Sequence, residues 1–389
     1  MRKVLAGFGS AALLVGLSGI PAEAATDMAV NTTLGNQTVA DDSSSIPGNP
    51  TQSLPSTVSS SIPDSATVVA KNLAVTTTGQ VKNLQTGANV TDPRLVGTAS
   101  KPADPLAKTN GRSFIPVSVA AVTKAVSESK GGSVTNSSET SARATVRSAS
   151  FSGNEYGAYW GTYNGTPAFF ESDGTLFAQQ AKGVIDVSQW QGSIDWAKAK
   201  ADGVQGAIIR VSFGWGNGFD PYALRNISEC KRLGIPFGVY SYSYSYDSAT
   251  AALEGADLAS LLKQAGVSPS DLSYPVFYDL ENWTWTGHTR PSSPSVYDGI
   301  VNSWYSKLQA AGYTNLSVYS YSSYLSTALN SSNIHSKTPW FAFYGTRTGS
   351  TYPSTDRGRT YTPHGSITRT SGSVDLTQVG AHTSVFASH

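Results

Sequence analysis

From Gly183 onward, short apolar runs alternate with stretches of mixed polarity, a rhythm of strand then helix. The runs predict strands at Gly183 to Asp186, Ala207 to Val211, Phe237 to Tyr242, Val276 to Glu281, Leu316 to Ser320 and Trp340 to Tyr344, with helices filling the gaps. One helix is marked by Asp220 as N-cap, Pro221 in its first turn and Gly234 as its stop. Another runs from Ser295 to Ala311 with Gly312 just beyond. Strand-helix alternation of this kind predicts an α/β fold with mostly parallel strands. An irregular (β/α) barrel of TIM-like type is the expectation for residues 181–377, although a doubly wound open sheet has the same local signature.

Upstream the texture changes. Aromatic runs at Tyr156 to Tyr163 and Pro167 to Phe170, with Ser172-Asp173-Gly174 as a turn, make residues 151–180 a small hairpin or N-terminal extension expected to pack on the following domain. Residues 25–150 hold one aromatic, Phe114, among Ser, Thr, Ala, Val, Asn and Pro. With so little to bury, they are expected to be a low-complexity, disordered linker or wall-associated region; a strand-rich module using Ile115 to Val122 is the lesser alternative. Residues 1–24 read as a secretory signal, with Arg2 and Lys3, an apolar run from Val4 to Ile20 and a small-residue site at Ala22-Glu23-Ala24. Residues 378–389 form a polar tail without an anchor pattern. A secreted protein, extracellular or cell-wall associated and without a membrane anchor, is expected, acting as a monomer.

Charge and cysteine usage narrow the chemistry. A formal net charge of +1 gives no footprint for nucleic acid, and no Gly-rich phosphate loop is present. The single cysteine, Cys230, cannot form an intramolecular disulfide and reads as a small buried residue rather than a nucleophile. His288, His335, His364, His382 and His389 fall in loop or tail sequence without a His-Glu-x-x-His spacing, so neither a metal site, a cofactor nor a Ser-His-Asp triad is expected.

The acids are more informative. Val276-Phe277-Tyr278-Asp279-Leu280-Glu281 is an apolar strand running into two carboxylates one residue apart, and side chains two apart on a strand share a face. Asp186 ends another apolar run, and Asp375 follows Val374 near the C-terminus. Taken singly, Asp186 reads equally well as a cap and Asp375 as a turn acid. Together they suit glycosidic cleavage, in which one carboxyl donates a proton while another stays ionised beside developing positive charge. Aromatics at or after the strand ends, Trp190, Trp215, Tyr240, Tyr242, Tyr319, Trp283, Trp285 and Tyr344, offer rings for stacking on sugars. Taken singly, most read more readily as core than as subsites; Trp283 and Trp285 sit in a polar loop and are expected to be exposed.

Gly183-Val184-Ile185-Asp186-Val187-Ser188-Gln189-Trp190-Gln191-Gly192, with Ile194-Asp195-Trp196 after it, resembles the opening motif of glycoside hydrolase family 25, the Chalaropsis-type lysozymes. The resemblance continues in order through Gly206 to Ser212, Gly238-Val239-Tyr240-Ser241-Tyr242, Tyr278-Asp279-Leu280-Glu281, Val318-Tyr319-Ser320 and Val374-Asp375-Leu376. It implies a β/α barrel that cleaves the β-1,4 bond between N-acetylmuramic acid and N-acetylglucosamine in bacterial peptidoglycan. It also implies Glu281 as general acid, with Asp279, Asp186 and Asp375 completing the acidic cleft. Asp279 would either attack the sugar or orient its 2-acetamido group, and both fit retention. The sequence departs from the family at Ser241, where His is common, at Arg359-Thr360-Tyr361 and at Phe343. A chitinase-like endo-N-acetylglucosaminidase is a competing reading, but Tyr274 and Phe277 stand where its longer acidic ladder would need carboxylates. A catalytically impaired wall-binding protein is another, opposed by retention of all four acids.

Overall fold

The structure, a computed structural model, describes residues 44–131, 158–342, 357–365 and 374–381. Side chains in the last two stretches, and those of Pro50, Thr51 and Gly131, are outside the description.

Residues 44–131 are folded, which corrects the expectation of a linker. β1 (Ser45–Ile46) pairs with β2 (Asn49–Ser53); β3 (Thr67–Ala70), β4 (Leu73–Val75), β5 (Val81–Asn83) and β6 (Val117–Ser118) form a second small antiparallel sheet in the order β5-β4-β3-β6. Helices α1 (Pro93–Val96) and α2 (Val119–Gly131) complete the module. Its core is small and aliphatic: Ile46, Ile62, Val68, Ala74, Leu84 and Val122 are buried together, with Phe114 packed against them. The buried Asn49 amide clamps the module by exchanging two 2.7 Å bonds with the backbone of Ile115. Residues 25–43 and 132–150 of the linker expectation lie outside the described residues.

From residue 158 the chain builds one ten-stranded sheet. β7 (Tyr159–Tyr163) and β8 (Thr166–Phe170) form a hairpin around Asn164-Gly165, whose φ values of 49° and 74° are those a two-residue turn requires. The expected Ser172-Asp173-Gly174 turn instead joins β8 to β9 (Leu176–Val187), so the hairpin is continuous with the strand that carries Asp186. Parallel pairing then runs from β9 through β10 (Gly206–Phe213), β11 (Phe237–Tyr242), β12 (Val276–Asp279), β13 (Leu316–Tyr321) and β14 (Trp340–Ala342) to β15 (Arg357–Gly365). β16 (Val374–Ala381) lies antiparallel between β15 and β9. Glu281, expected at a strand end, lies two residues beyond β12.

Helices α3 (Trp196–Ala201), α4 (Ala223–Leu233), α5 (Ser248–Gln264), α6 (Pro294–Ala310), α7 (Ser322–Leu325) and α8 (Ser332–His335) separate the strands. β11 and β12 are buried along their whole length, as expected where helices cover a parallel sheet. Alternation along β12 then decides function. Tyr278 points to the helices, stacking on Trp304 of α6 at 4.5 Å and donating a 2.6 Å bond to the buried Glu254 of α5. Phe277 and Asp279 therefore face the opposite side. Cys230 is buried on α4, where burial pushes its thiol up to about 12. Among the described residues no helix is long and apolar enough to cross a membrane.

The helix α4 stops at Gly234, whose φ of 61° is left-handed, as expected. At its start Tyr222 occupies the N-cap position of the regular helix, and the buried Asp220 carboxylate ahead of it is shared: Oδ1 accepts the Tyr222 amide at 3.0 Å while Oδ2 takes Arg210, a charged and therefore stronger partner.

Candidate active site

Strand alternation brings Asp186 of β9, Arg210 of β10, Tyr240 and Tyr242 of β11, Asp279 of β12 and Tyr319 of β13 to one cavity. Register makes the arrangement compact: Tyr242 lies beside Asp279, and Asp279 beside Tyr319, on adjacent strands. Glu281 and Trp283 reach the same cavity from the segment after β12. That segment is pinned by its backbone. Ser320 donates a 2.7 Å bond to the Leu280 carbonyl, the Asn282 amide donates to the Tyr321 hydroxyl at 2.9 Å, and Tyr242 donates to the Asn282 carbonyl at 3.3 Å.

The electrostatics favour protonated carboxyls. Burial pushes Glu281 up to about 8, and the negative charge of Asp186 adds to the shift. Burial likewise pushes Asp186 up to about 7, although a hydrogen bond from Tyr240 and the charge of Arg210 pull the other way. The two acids thus compete for charge, and their protons come off as a pair. Both retain some surface, and that surface lines the cavity. Burial, with the nearby negative charges of Asp186 and Glu281 respectively, holds the Tyr240 and Tyr242 hydroxyls protonated, so both remain donors.

A charged residue inside an otherwise apolar strand anchors the rim. Arg210 is 1% exposed and binds Asp220 through Nε at 2.9 Å and Asp104 of the N-terminal module through Nη2 at 2.6 Å. Burial alone would raise Asp104, but the Arg210 guanidinium outweighs it and holds the carboxyl below its ordinary value. Trp190 Nε1 and Gln189 Nε2 also donate to Asp104, at 3.1 and 2.5 Å. The position of Arg210 amid Ala207 to Val211 was a visible signal. Lys108 and Arg112, which also line the cavity, and Asp104, which is tied to it through Arg210, lie in a stretch whose composition gave no such signal.

The expected aromatics divide. Tyr240, Tyr242, Tyr319 and Trp283 line the cavity, whereas Trp285 does not. Trp283 and Trp285, expected to be exposed, are 5% and 4% exposed. They pack with Tyr242 and Tyr244, and Trp285 donates a 2.6 Å bond to the Thr98 carbonyl, so the N-terminal module covers the loop that sequence alone left open. Trp215 meets Trp285 edge-on at 5.4 Å, and His288 stacks on it at 3.8 Å. Asp375 pairs in register with Asp186; because β16 runs antiparallel, the start of that strand, not its end, meets the end of β9. Ser241 is buried on β11, Arg359, Thr360 and Tyr361 lie on β15, and Phe343 and Tyr344 are outside the described residues.

Residues 185–368 match the profile described as Glycosyl hydrolases family 25. Among solved structures, the modular autolysin LytC from Streptococcus pneumoniae is 32% identical over 57% of this chain and 52% of LytC, with a TM-score of 0.52. LytC in complex with a synthetic peptidoglycan ligand gives 31% identity over the same shares and a TM-score of 0.53. The bacterial lysozyme from Streptomyces coelicolor is 24% identical over 50% of this chain and 90% of its own, with a TM-score of 0.42. This chain spans about half the length of the LytC chains it matches. No curated protein matches it.

Proposed function

We propose that this chain is a secreted peptidoglycan hydrolase, a lysozyme-type muramidase cleaving the β-1,4 bond between N-acetylmuramic acid and N-acetylglucosamine with retention. The observation that carries the reading is a single cavity, in the region that matches family 25, holding a carboxyl raised well above its ordinary range beside further acids. The similarity to LytC, one structure of which holds a synthetic peptidoglycan ligand, supports the substrate. The barrel reading is supported by the pairing of β9 with both β10 and β16.

In this reading Glu281 donates its proton to the glycosidic oxygen as the bond to the anomeric carbon breaks. An ionised carboxylate then stabilises the positive charge left on the sugar. Asp279 either attacks that carbon directly or orients the 2-acetamido oxygen to do so, and in the second step Glu281 takes a proton from water. Tyr240 and Tyr242 serve as fixed donors to substrate oxygens, Tyr319 and Trp283 as cleft walls, and Asp186 and Asp375 complete the acid cluster. Trp285, read from sequence as a further substrate contact, is buried away from the cavity and has no part in this proposal, and Tyr344 lies outside the described residues.

Digestion of purified peptidoglycan, followed by borohydride reduction and mass spectrometry, tests the bond. Reduced N-acetylmuramic acid ends are expected; reduced N-acetylglucosamine ends would move the activity to the competing glucosaminidase class. A second expectation concerns Asp186. Removing its negative charge in Asp186→Asn stabilises ionised Glu281, lowers its pKa, and should move the alkaline limb of residual kcat/KM to lower pH by roughly one unit or more. A limb that stays in place would show that the two acids are not coupled.

A further inference from the structure

The acids described above are not open to solvent in the way a polymer-cleaving site requires. The cavity they share has a volume of about 80 Å³, whereas sites that accept even small molecules enclose roughly 300–1,000 Å³. Its missing wall is the N-terminal module. Pro105, Leu106, Lys108 and Arg112 face Asp186, Asp279 and Glu281 across it, so cations and apolar groups stand where a glycan strand would lie.

The segment is fastened along its length. The Val96 carbonyl accepts the Thr286 amide at 2.9 Å, Thr98 accepts Trp285 Nε1 at 2.6 Å, and Ala103 accepts the Tyr244 hydroxyl at 2.9 Å. Asp104 then forms its ion pair with Arg210, and Gly111 packs so closely on Trp190 that a Cβ there would come within 2.4 Å of the Trp190 Cβ. Trp190 and Trp285, which it touches, are among the rings that the sequence offered for stacking on sugars.

We infer that residues 97–114 are an autoinhibitory lid that shuts the acidic cleft of the region matching family 25, and that substrate enters only when this segment leaves. The fastenings suit a reversible cover. They are hydrogen bonds, the packing of Gly111 on Trp190 and one ion pair, with no covalent link, and Arg210 keeps Asp220 at 2.8 Å when Asp104 departs. The inference rests on the proposed hydrolase reading for its activity assay but not for its accessibility assay.

The test locks the lid in the full chain. A Cβ built on Gly287 lies 3.9 Å from the Ala99 Cβ, close to the ~3.8 Å of a disulfide, so Ala99→Cys/Gly287→Cys can tie the lid to the rim. The φ of 79° at Gly287 strains a cysteine there, so comparison is made within this one double variant, oxidised against reduced. Cys230 is buried and does not compete. With the cross-link verified by mass, the oxidised form should hydrolyse peptidoglycan at least about tenfold more slowly than the reduced form, since a closed form leaves an open minority of roughly 0.1–10% to do the work. It should also protect Glu281 and Asp186 from carbodiimide coupling, with reduction restoring both signals. Equal hydrolysis in the two forms would overturn the lid and make these residues part of the working site. If neither form hydrolyses, the muramidase reading fails while the labelling still decides: carboxyls labelled only after reduction uphold the lid, and labelling alike in both forms overturns it. Asp104→Ala should raise hydrolysis above the parent; a fall would contradict the inference.

Discussion

Glu281→Gln is expected to slow peptidoglycan hydrolysis by roughly 10²- to 10⁴-fold, the usual worth of general acid assistance, while leaving the fold intact. The amide is nearly isosteric but has no proton to give to the glycosidic oxygen. The same change should stabilise the protein at neutral and alkaline pH. Burial raises the Glu281 carboxyl to about 8 in the folded state, above its ordinary 4.5. The unfolded chain therefore releases this proton first as pH rises, and the folded state loses stability through the window between those two values. Below about pH 4.5 both states hold the proton and the term is constant. Gln carries no such term, so its melting temperature should exceed that of the parent at pH 8 by roughly 5 °C or more, and by little at pH 4. A variant keeping more than about a tenth of parental activity, short of the expected loss, would remove Glu281 from the acid role.

Arg210→Met should destabilise the domain by about 3–5 kcal/mol, because removing one partner of a buried ion cluster leaves charge without compensation. Asp220 is fully buried, and without the guanidinium it faces Asp104 as like charge in a low-dielectric site. The effect should fall substantially in Arg210→Met/Asp220→Leu, which removes the orphaned carboxylate as well. Urea unfolding reads both. A loss under about 1 kcal/mol in the single variant, the value of an exposed pair, would mean that the cluster is solvated. Arg210 also draws Asp186 down through its positive charge, so its loss should raise Asp186 further.

The parallel strands and the clustering of the acids could be read from sequence because both depend on local pattern. Phe237–Tyr242 was predicted residue for residue, since a strand buried on both faces is a continuous apolar run bounded by Pro236 and polar residues. Asp279 and Glu281 were paired by a period of two, and Glu281 keeps its place even though the strand ends before it. The module at 44–131 was hidden by its own economy. Its core is built from Val, Ala, Leu and Ile on short strands, with Phe114 alone to supply the aromatic signal of a folded domain. The burial of Trp283 and Trp285 was hidden for the same reason, since what covers them is a contact across nearly two hundred positions, from Thr98 to Trp285, that no local window contains. Asp220 does accept an amide at the helix start, that of Tyr222, but its second oxygen binds a strand arginine ten residues earlier, a partner that no local window contains.

The central claim is that Glu281 is held as a protonated acid by burial and by Asp186, and a ¹³C NMR titration of the Glu281 side-chain carboxyl tests it most directly, with Glu281→Gln assigning the resonance. A midpoint near 8 in the parent, moving downward in Asp186→Asn, is the expected result. A midpoint near the ordinary 4.5, unmoved by Asp186→Asn, would contradict it, since a carboxylate already ionised at neutral pH has no proton to deliver.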